Sequence, residues 1–162
     1  MSDPHFNHPA IVEFCQRPAN HEDIMYENLM RLDADSCLIM LGDLCMGDDL
    51  QVHEEIFERM QCRKILVKGN HDSKSYSWYM ENGWDFACDA FKMDYAGKNV
   101  LFSHRPQAWD GFWDINIHGH LHNLGHREQE RKRLKRWHIL YAPEDMDYKP
   151  IELSKFIQSK KL

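Results

Sequence analysis

Ile65-Leu66-Val67-Lys68-Gly69-Asn70-His71-Asp72 decides the reading of this chain. A short, largely apolar run ends in a glycine and then in three side chains that bind metals or move protons. The same change occurs where Leu38-Ile39-Met40-Leu41 meets Gly42-Asp43, and where Val100-Leu101-Phe102 meets Ser103-His104. A more alternating stretch, Trp113 to Ile117, leads to Gly119-His120-Leu121-His122. Apolar runs of this length read as buried strands, and open α/β sheets place ligands at the carboxyl ends of their strands. Residues far apart in sequence are therefore expected to converge on one sheet edge, as in an enzyme.

Composition narrows the class. A chain of 162 residues suffices for one domain with a substantial core, and a single domain over residues 1–162 is expected. Hydrophobic residues at 43% and aromatics at 12% exclude an intrinsically disordered chain. No stretch is long and apolar enough to cross a bilayer, and no apolar signal region opens the chain. A cytoplasmic protein with no membrane partner is expected. The five cysteines are odd in number and lack a C-x-x-C spacing, which favours reduced thiols over disulfides or a zinc finger, with Cys37 and Cys88 in the core.

Charge and histidine content point two ways. The net charge of -6 gives no global attraction to nucleic acid. Residues 127–136 nevertheless hold six basic and two acidic side chains, read as a solvated loop or helix end, or as a phosphate-contacting surface. Five of the eleven histidines fall between 104 and 126, and that clustering favours a metal site.

Helical and strand-like patterns alternate along the chain. The spacing predicts a helix over 21–32 capped by Asn20, and a second over 50–61 with Val52, Ile56, Phe57 and Met60 inward. It predicts a short helix over 74–81 closed by Asn82-Gly83, a hairpin over 84–103, a strand near 137–142, and a last helix opened by Pro150. Strands are expected at 37–41, 64–68 and 113–118. The fold class is α/β in layers.

The residue types define a chemistry. Oxygen and nitrogen donors without thiolates suit Mn²⁺, iron or Zn²⁺. The two oxygens of Asp43 can bridge a pair of cations, and Asn70 can offer a neutral amide oxygen. His120 and His122 stand two apart, so on an extended segment both rings face one side. Asp72 is expected to hold the ring of His71 and favour its imidazolium, which suits protonation of a leaving group. Arg17 can clamp a phosphate bidentately, while His8 and Arg105 flank motifs and can line the pocket. His118 reads as a packing or supporting residue, and His21, His53 and His138 as surface residues. Trp78, Trp84, Trp109 and Trp113 read as core, with a pocket wall as the alternative for Trp109.

Asp3-Pro4-His5, Gly42-Asp43, Gly69-Asn70-His71-Asp72, Ser103-His104 and Gly119-His120-Leu121-His122 resemble, in order and spacing, the calcineurin-like metallophosphoesterases. The resemblance spans about residues 2 to 157. Asp3-Pro4-His5-Phe6-Asn7-His8, Arg17-Pro18 and Asp147-Tyr148-Lys149-Pro150 are most similar to small bacterial and phage members. It implies a layered sandwich of mixed sheets flanked by helices. It also implies one divalent ion on Asp3, His5 and His122, a second on Asn70, His104 and His120, and Asp43 between them. Manganese is the first expectation, with iron, zinc or nickel as alternatives. A bridging hydroxide would attack phosphorus, His71 would donate a proton or stabilise charge, and Asp72 would orient it. Asn70, Arg17 and Arg105 would meet the substrate.

Two departures accompany the resemblance. Asn7 stands where the family has glycine. The family's hydrophobic strand before the first aspartate is replaced by Met1-Ser2, so a late start, a truncated chain or a variant is expected, with Asp3 untethered and the first metal site weakened. The leading expectation is a two-metal phosphodiesterase acting on a small phosphoester or nucleotide, with nucleic acid as a possible substrate. A phosphomonoesterase of the same mechanism, or a catalytically silent metal-binding scaffold, is the alternative. Were the first strand absent, the exposed sheet edge could recruit another chain, and a homo-oligomer is one remedy.

Overall fold

The computed structural model describes residues 1–123 and 127–160; His126, one of the clustered histidines, lies outside them. Helices α1 (Ala10–Phe14) and α2 (His21–Met30) precede the first strand, β1 (Cys37–Met40). Asn20 stands before α2 with Glu22 and Asp23 in the first turn, but its side chain makes no capping hydrogen bond. The predicted helix over 50–61 is α3 (Asp49–Val52), which continues as a π-helical segment, His53–Phe57. Its Val52, Ile56, Phe57 and Met60 are buried, as their spacing requires. Strand β2 (Arg63–Val67) and α4 (Tyr76–Glu81) follow, and Ser75 caps α4 by accepting from the Trp78 N–H.

The expected hairpin over 84–103 divides at Asp89. Strand β3 (Phe86–Cys88) joins β2 in parallel, whereas β4 (Ala90–Tyr95) turns back antiparallel on β5 (Lys98–Ser103). Alternation along a strand records which face is buried and not which neighbour it pairs with, so the pattern alone did not separate the two. Strand β6 (Ile115–His118), α5 (Glu128–Arg131), β7 (His138–Leu140) and α6 (Leu153–Ser159) complete the order. Pro150 precedes α6 instead of opening it.

Two sheets result, β1-β2-β3, wholly parallel, and β4-β5-β6-β7, in which β4 alone runs antiparallel to its neighbour. Leu38, Met40, Leu66, Val100, Phe102, Ile117 and Ile139 from both sheets share one apolar cluster. All four residues of β6 are buried, the signature of a strand covered on both faces.

Residues 1–6 correct the expectation that Asp3 is untethered. They run beside β1 and the turn after it. The Leu41 N–H donates to the Met1 carbonyl at 2.9 Å, Asp3 N–H to Gly42 O at 2.9 Å, His5 N–H to Asp43 O at 3.1 Å and Phe6 N–H to Leu44 O at 2.9 Å. Phe6 also bridges in parallel to Cys45. An apolar cavity of about 360 Å³ lies between β1 and α6, lined among others by Leu38, Ile39, Ile117 and Phe156. None of the candidate ligands borders it, so it is a gap in the core and not the reaction site.

Candidate active site

The candidate ligands stand just past strand ends or in the segment beside β1. Asp43 follows β1; Asn70, His71 and Asp72 follow β2; His104 follows β5; His120 and His122 follow β6. Asp3, His5, Asp43, His120 and His122 all occupy the left-handed backbone region, at φ of 52°, 53°, 56°, 66° and 46°. Such conformations cost on the order of 1–3 kcal/mol each and gather where function requires them. They also correct the expectation of an extended His120–His122 segment. The Leu121 N–H folds back on Gly119 O at 2.8 Å, and the two rings serve different halves of the site.

One half comprises Asp43, His104 and His120, and the other Asp3, His5 and His122; within each set the donor atoms all lie within 4.8 Å of one another. His5, Asp43 and His71 form a third such set, so Asp43 belongs to both sides. His104 Nδ1 donates to Leu41 O at 2.6 Å, which turns its Nε2 toward Asp43 Oδ2 at 3.2 Å, Asn70 Oδ1 at 3.2 Å and His120 Nδ1 at 3.0 Å. Several lone pairs facing one another are tolerable only with positive charge between them. Asp3 Oδ1 is buried with no hydrogen-bond partner and lies 3.8 Å from both His5 Nε2 and His122 Nε2. The donor set therefore fits two cations, with Asp3, His5 and His122 to hold one and Asn70, His104 and His120 the other, Asp43 lying between.

The imidazoles respond to the same charge. Burial acts to lower His104, but its hydrogen bond to Asp43 and the fields of Asp3 and Asp43 raise it to about 9. Burial likewise opposes protonation of His122, and Cys15 and Glu144 overcome it, raising the ring to about 10. Burial holds His5 down to about 2 and, together with the His104 charge, His120 to about 3. Below pH 9 a cation must therefore displace protons from His104 and His122. Mn²⁺ uptake is expected to release protons, its apparent affinity rising with pH by up to about tenfold per unit for each proton displaced. Calorimetry in buffers of different ionisation enthalpy measures this, and uptake without proton release contradicts it.

The model of the calcineurin-like phosphoesterases matches residues 1–153. The chain belongs to this family. Metal-dependent phosphoester hydrolysis is the family's chemistry, and its dinuclear centre agrees with the converging donors. An uncharacterized protein of Methanocaldococcus jannaschii is 26% identical over 98% of this chain and 88% of its own length. A protein of unknown function from Aquifex aeolicus is 26% identical and superposes with a TM-score of 0.74, covering 98% of this chain and 96% of that one. An archaeal phosphodiesterase is a distant likeness, at 21% identity and a TM-score of 0.41, covering 54% of this chain and 58% of that one.

Around this phosphoesterase centre the remaining candidates divide. His71 stands at the edge, its side chain 36% exposed and its Nε2 4.0 Å from Asp43 Oδ2. Arg105 is exposed, and its guanidinium donates to Asn70 Oδ1 at 3.2 Å. Asp72 does not hold the His71 ring. Its carboxylate accepts from the backbone N–H groups of Asp43 (2.8 Å), Leu44 (2.9 Å) and Gly69 (2.7 Å), so it clamps the two ligand loops together. The correction for Arg17 is larger. Its guanidinium is wholly internal, donating to Glu144, to Pro4 O and to Asp3 O, so it is buried away from any substrate phosphate.

Other expectations change with burial. His21 and His53 are buried against Tyr148 and an aromatic group of Phe57, Trp78 and Tyr79, not on the surface. His118 is buried and edge-on to His138, as a packing residue should be. Cys37 is exposed and Cys88 half-buried, so neither is a core thiol. Trp109 is 61% exposed and is not a core residue.

Three supports of the site were not read from sequence. Glu144, on the 3-10 turn Pro143–Asp145 after β7, meets His122. Arg131 donates to Leu121 O at 3.0 Å, so part of the basic run braces the histidine loop while Arg127 and Lys132 pair with Glu130 and Glu128. Backbone carbonyls such as Leu41 O leave no trace in side-chain identity. Glu144 does carry a signal, for it too follows an apolar run, Ile139-Leu140-Tyr141-Ala142.

Proposed function

We propose that this protein hydrolyses phosphodiesters, with manganese as the working metal and small phosphodiesters or nucleotides as substrates. The observation that carries the reading is Asp43, shared between two donor sets, with His71 exposed beside it. Divalent cations held there supply positive charge to the phosphoryl oxygens and acidify a water molecule. Asp43 holds the halves in register and fixes the His71 backbone through a 2.9 Å bond from its N–H. The His71 imidazole is the group free to protonate or stabilise the departing oxygen, and Asn70 with Arg105 orients the phosphate.

Charge supports a diester over a monoester. A monoester dianion needs more cationic partners at the phosphate. Arg17 is committed to Glu144 inside the protein, and Arg127 is paired with Glu130. Arg105 is the exposed cation bonded to Asn70. The net charge of -6 favours a small substrate over a long nucleic acid. Five free cysteines suit a reducing cytoplasm.

Turnover of bis(p-nitrophenyl) phosphate with Mn²⁺, compared with p-nitrophenyl phosphate, tests the reading. Replacing His71 with Ala is expected to lower kcat by roughly 10²–10⁴-fold, the usual worth of a positioned acid, with metal content unchanged. A preference for the monoester overturns the diester assignment. Full metal loading with no turnover on either ester favours the silent scaffold.

A further inference from the structure

We propose that Arg17 and Glu144 are a positioning pair that sets His122 and the Asp3–His5 segment for one cation and leaves the other half of the centre independent. The inference rests on the reading above only in taking the Asp3–His5–His122 set as cation-binding. The Glu144 side chain is 4% exposed and that of Arg17 fully buried. Glu144 Oε1 accepts from Arg17 Nε at 2.9 Å and lies 2.8 Å from Arg17 Nη2. The same oxygen is 3.2 Å from His122 Nδ1.

That contact sets a tautomer. A carboxylate can only accept, so His122 Nδ1 carries a proton, and Nε2, 3.8 Å from Asp3 Oδ1, is the nitrogen that turns its lone pair to a cation once its own proton is displaced. Arg17 Nη2 lies farther from Nδ1, at 3.5 Å, and already donates to Asp3 O at 2.8 Å. Its Nη1 donates to Pro4 O at 2.8 Å. One guanidinium thus ties the backbone that carries Asp3 and His5 to the carboxylate that holds His122. Ligands from opposite ends of the chain acquire a common anchor.

The pair also solves a charge problem. An unpaired buried carboxylate would be costly and would draw cations away from Asp3. Arg17 balances it where it stands. Cys15, His122 and Glu144 have donor atoms within 4.8 Å of one another. The guanidinium already supplies the positive charge at that place, so the set is a support and not another ion site. The other half has its own orienting group, Leu41 O on His104.

The test is Mn²⁺ titration of the whole chain by calorimetry. Glu144→Gln keeps the size but loses the charge that organises Arg17 and His122. One of the two wild-type binding events is expected to weaken roughly 10–100-fold, and the other to stay within about twofold. Glu144→Asp, which keeps the charge but withdraws from His122, is expected to show the same selective loss and serves if the amide variant does not fold. Wild-type affinity at both sites in a folded variant, or equal loss at both, overturns the proposal. In the wild type, two-bond ¹H–¹⁵N correlation is expected to find His122 protonated on Nδ1, and a proton on Nε2 alone overturns it without any variant. Two ions bound with no hydrolysis would sink the phosphodiesterase reading and leave this inference standing.

Discussion

Asp43→Asn is expected to lower Mn²⁺-dependent phosphodiester turnover by about 10³-fold or more, because the shared carboxylate serves both halves of the site and metal catalysis is worth several kcal/mol at about 1.4 kcal/mol per tenfold. The amide keeps an acceptor for the His71 N–H, which now binds Asp43 Oδ1 at 2.9 Å, so the loop shape survives. What disappears is the charge facing His104 Nε2 at 3.2 Å, His5 Nε2 at 3.7 Å and His71 Nε2 at 4.0 Å. Asparagine binds one cation weakly and bridges two poorly. Metal content should therefore fall together with turnover, and the metal-free protein should also melt at a lower temperature, because His104 loses its buried partner. A variant that keeps two ions per chain and more than a tenth of the activity would remove Asp43 from its bridging place.

Gly42→Ala is the largest expected effect on folding. Gly42 sits at φ +83°, and an added Cβ would stand 2.6 Å from Gly69 Cα and 2.8 Å from Val67 O. These obstacles are backbone atoms of the neighbouring strand end, so nothing can swing aside. Gly97 provides the control, for at φ +75° its Cβ would meet nothing within 4 Å. Gly97→Ala should cost only the left-handed backbone term, on the order of 1 kcal/mol. Gly42→Ala adds a clash between the loops bearing Asp43 and Asn70, and about 3 kcal/mol or more is expected, near 10 °C in Tm for a chain of this size. Thermal unfolding of the two variants side by side measures the difference. Equal shifts would mean that the close approach of β1 and β2 carries no special constraint.

The elements that sequence made legible are those whose signal is local. The runs at 37–41, 64–68 and 100–103 form strands because continuous apolar character over a few residues suits burial on both faces. The inward residues of α3 and the segment after it follow from helical spacing. The boundary at Asp89 did not show, since pairing partners are set by the neighbouring strand and not by the residues within one. Within the site, Asp43, Asn70, His104, His120 and His122 announce themselves by chemistry and by their place after strands. Arg17 and Asp72 were visible as residues but not as roles. A guanidinium can bind phosphate or carbonyls, and a carboxylate can hold a ring or three amides, with equal local preference.

The sequence by itself determined the layered α/β class, the family and the donors that face the metals, because periodicity, strand-end position and side-chain chemistry are local properties of the chain. Only the tertiary structure decided how the backbone delivers those donors and what supports them. It folded His120 and His122 back through left-handed residues into separate halves, tethered Asp3 along β1, and turned Arg17 inward onto Glu144. The physical reason is that a hydrogen bond or an ion pair is chosen by what else lies within about 3 Å in a desolvated interior. That neighbourhood is assembled from segments more than a hundred residues apart.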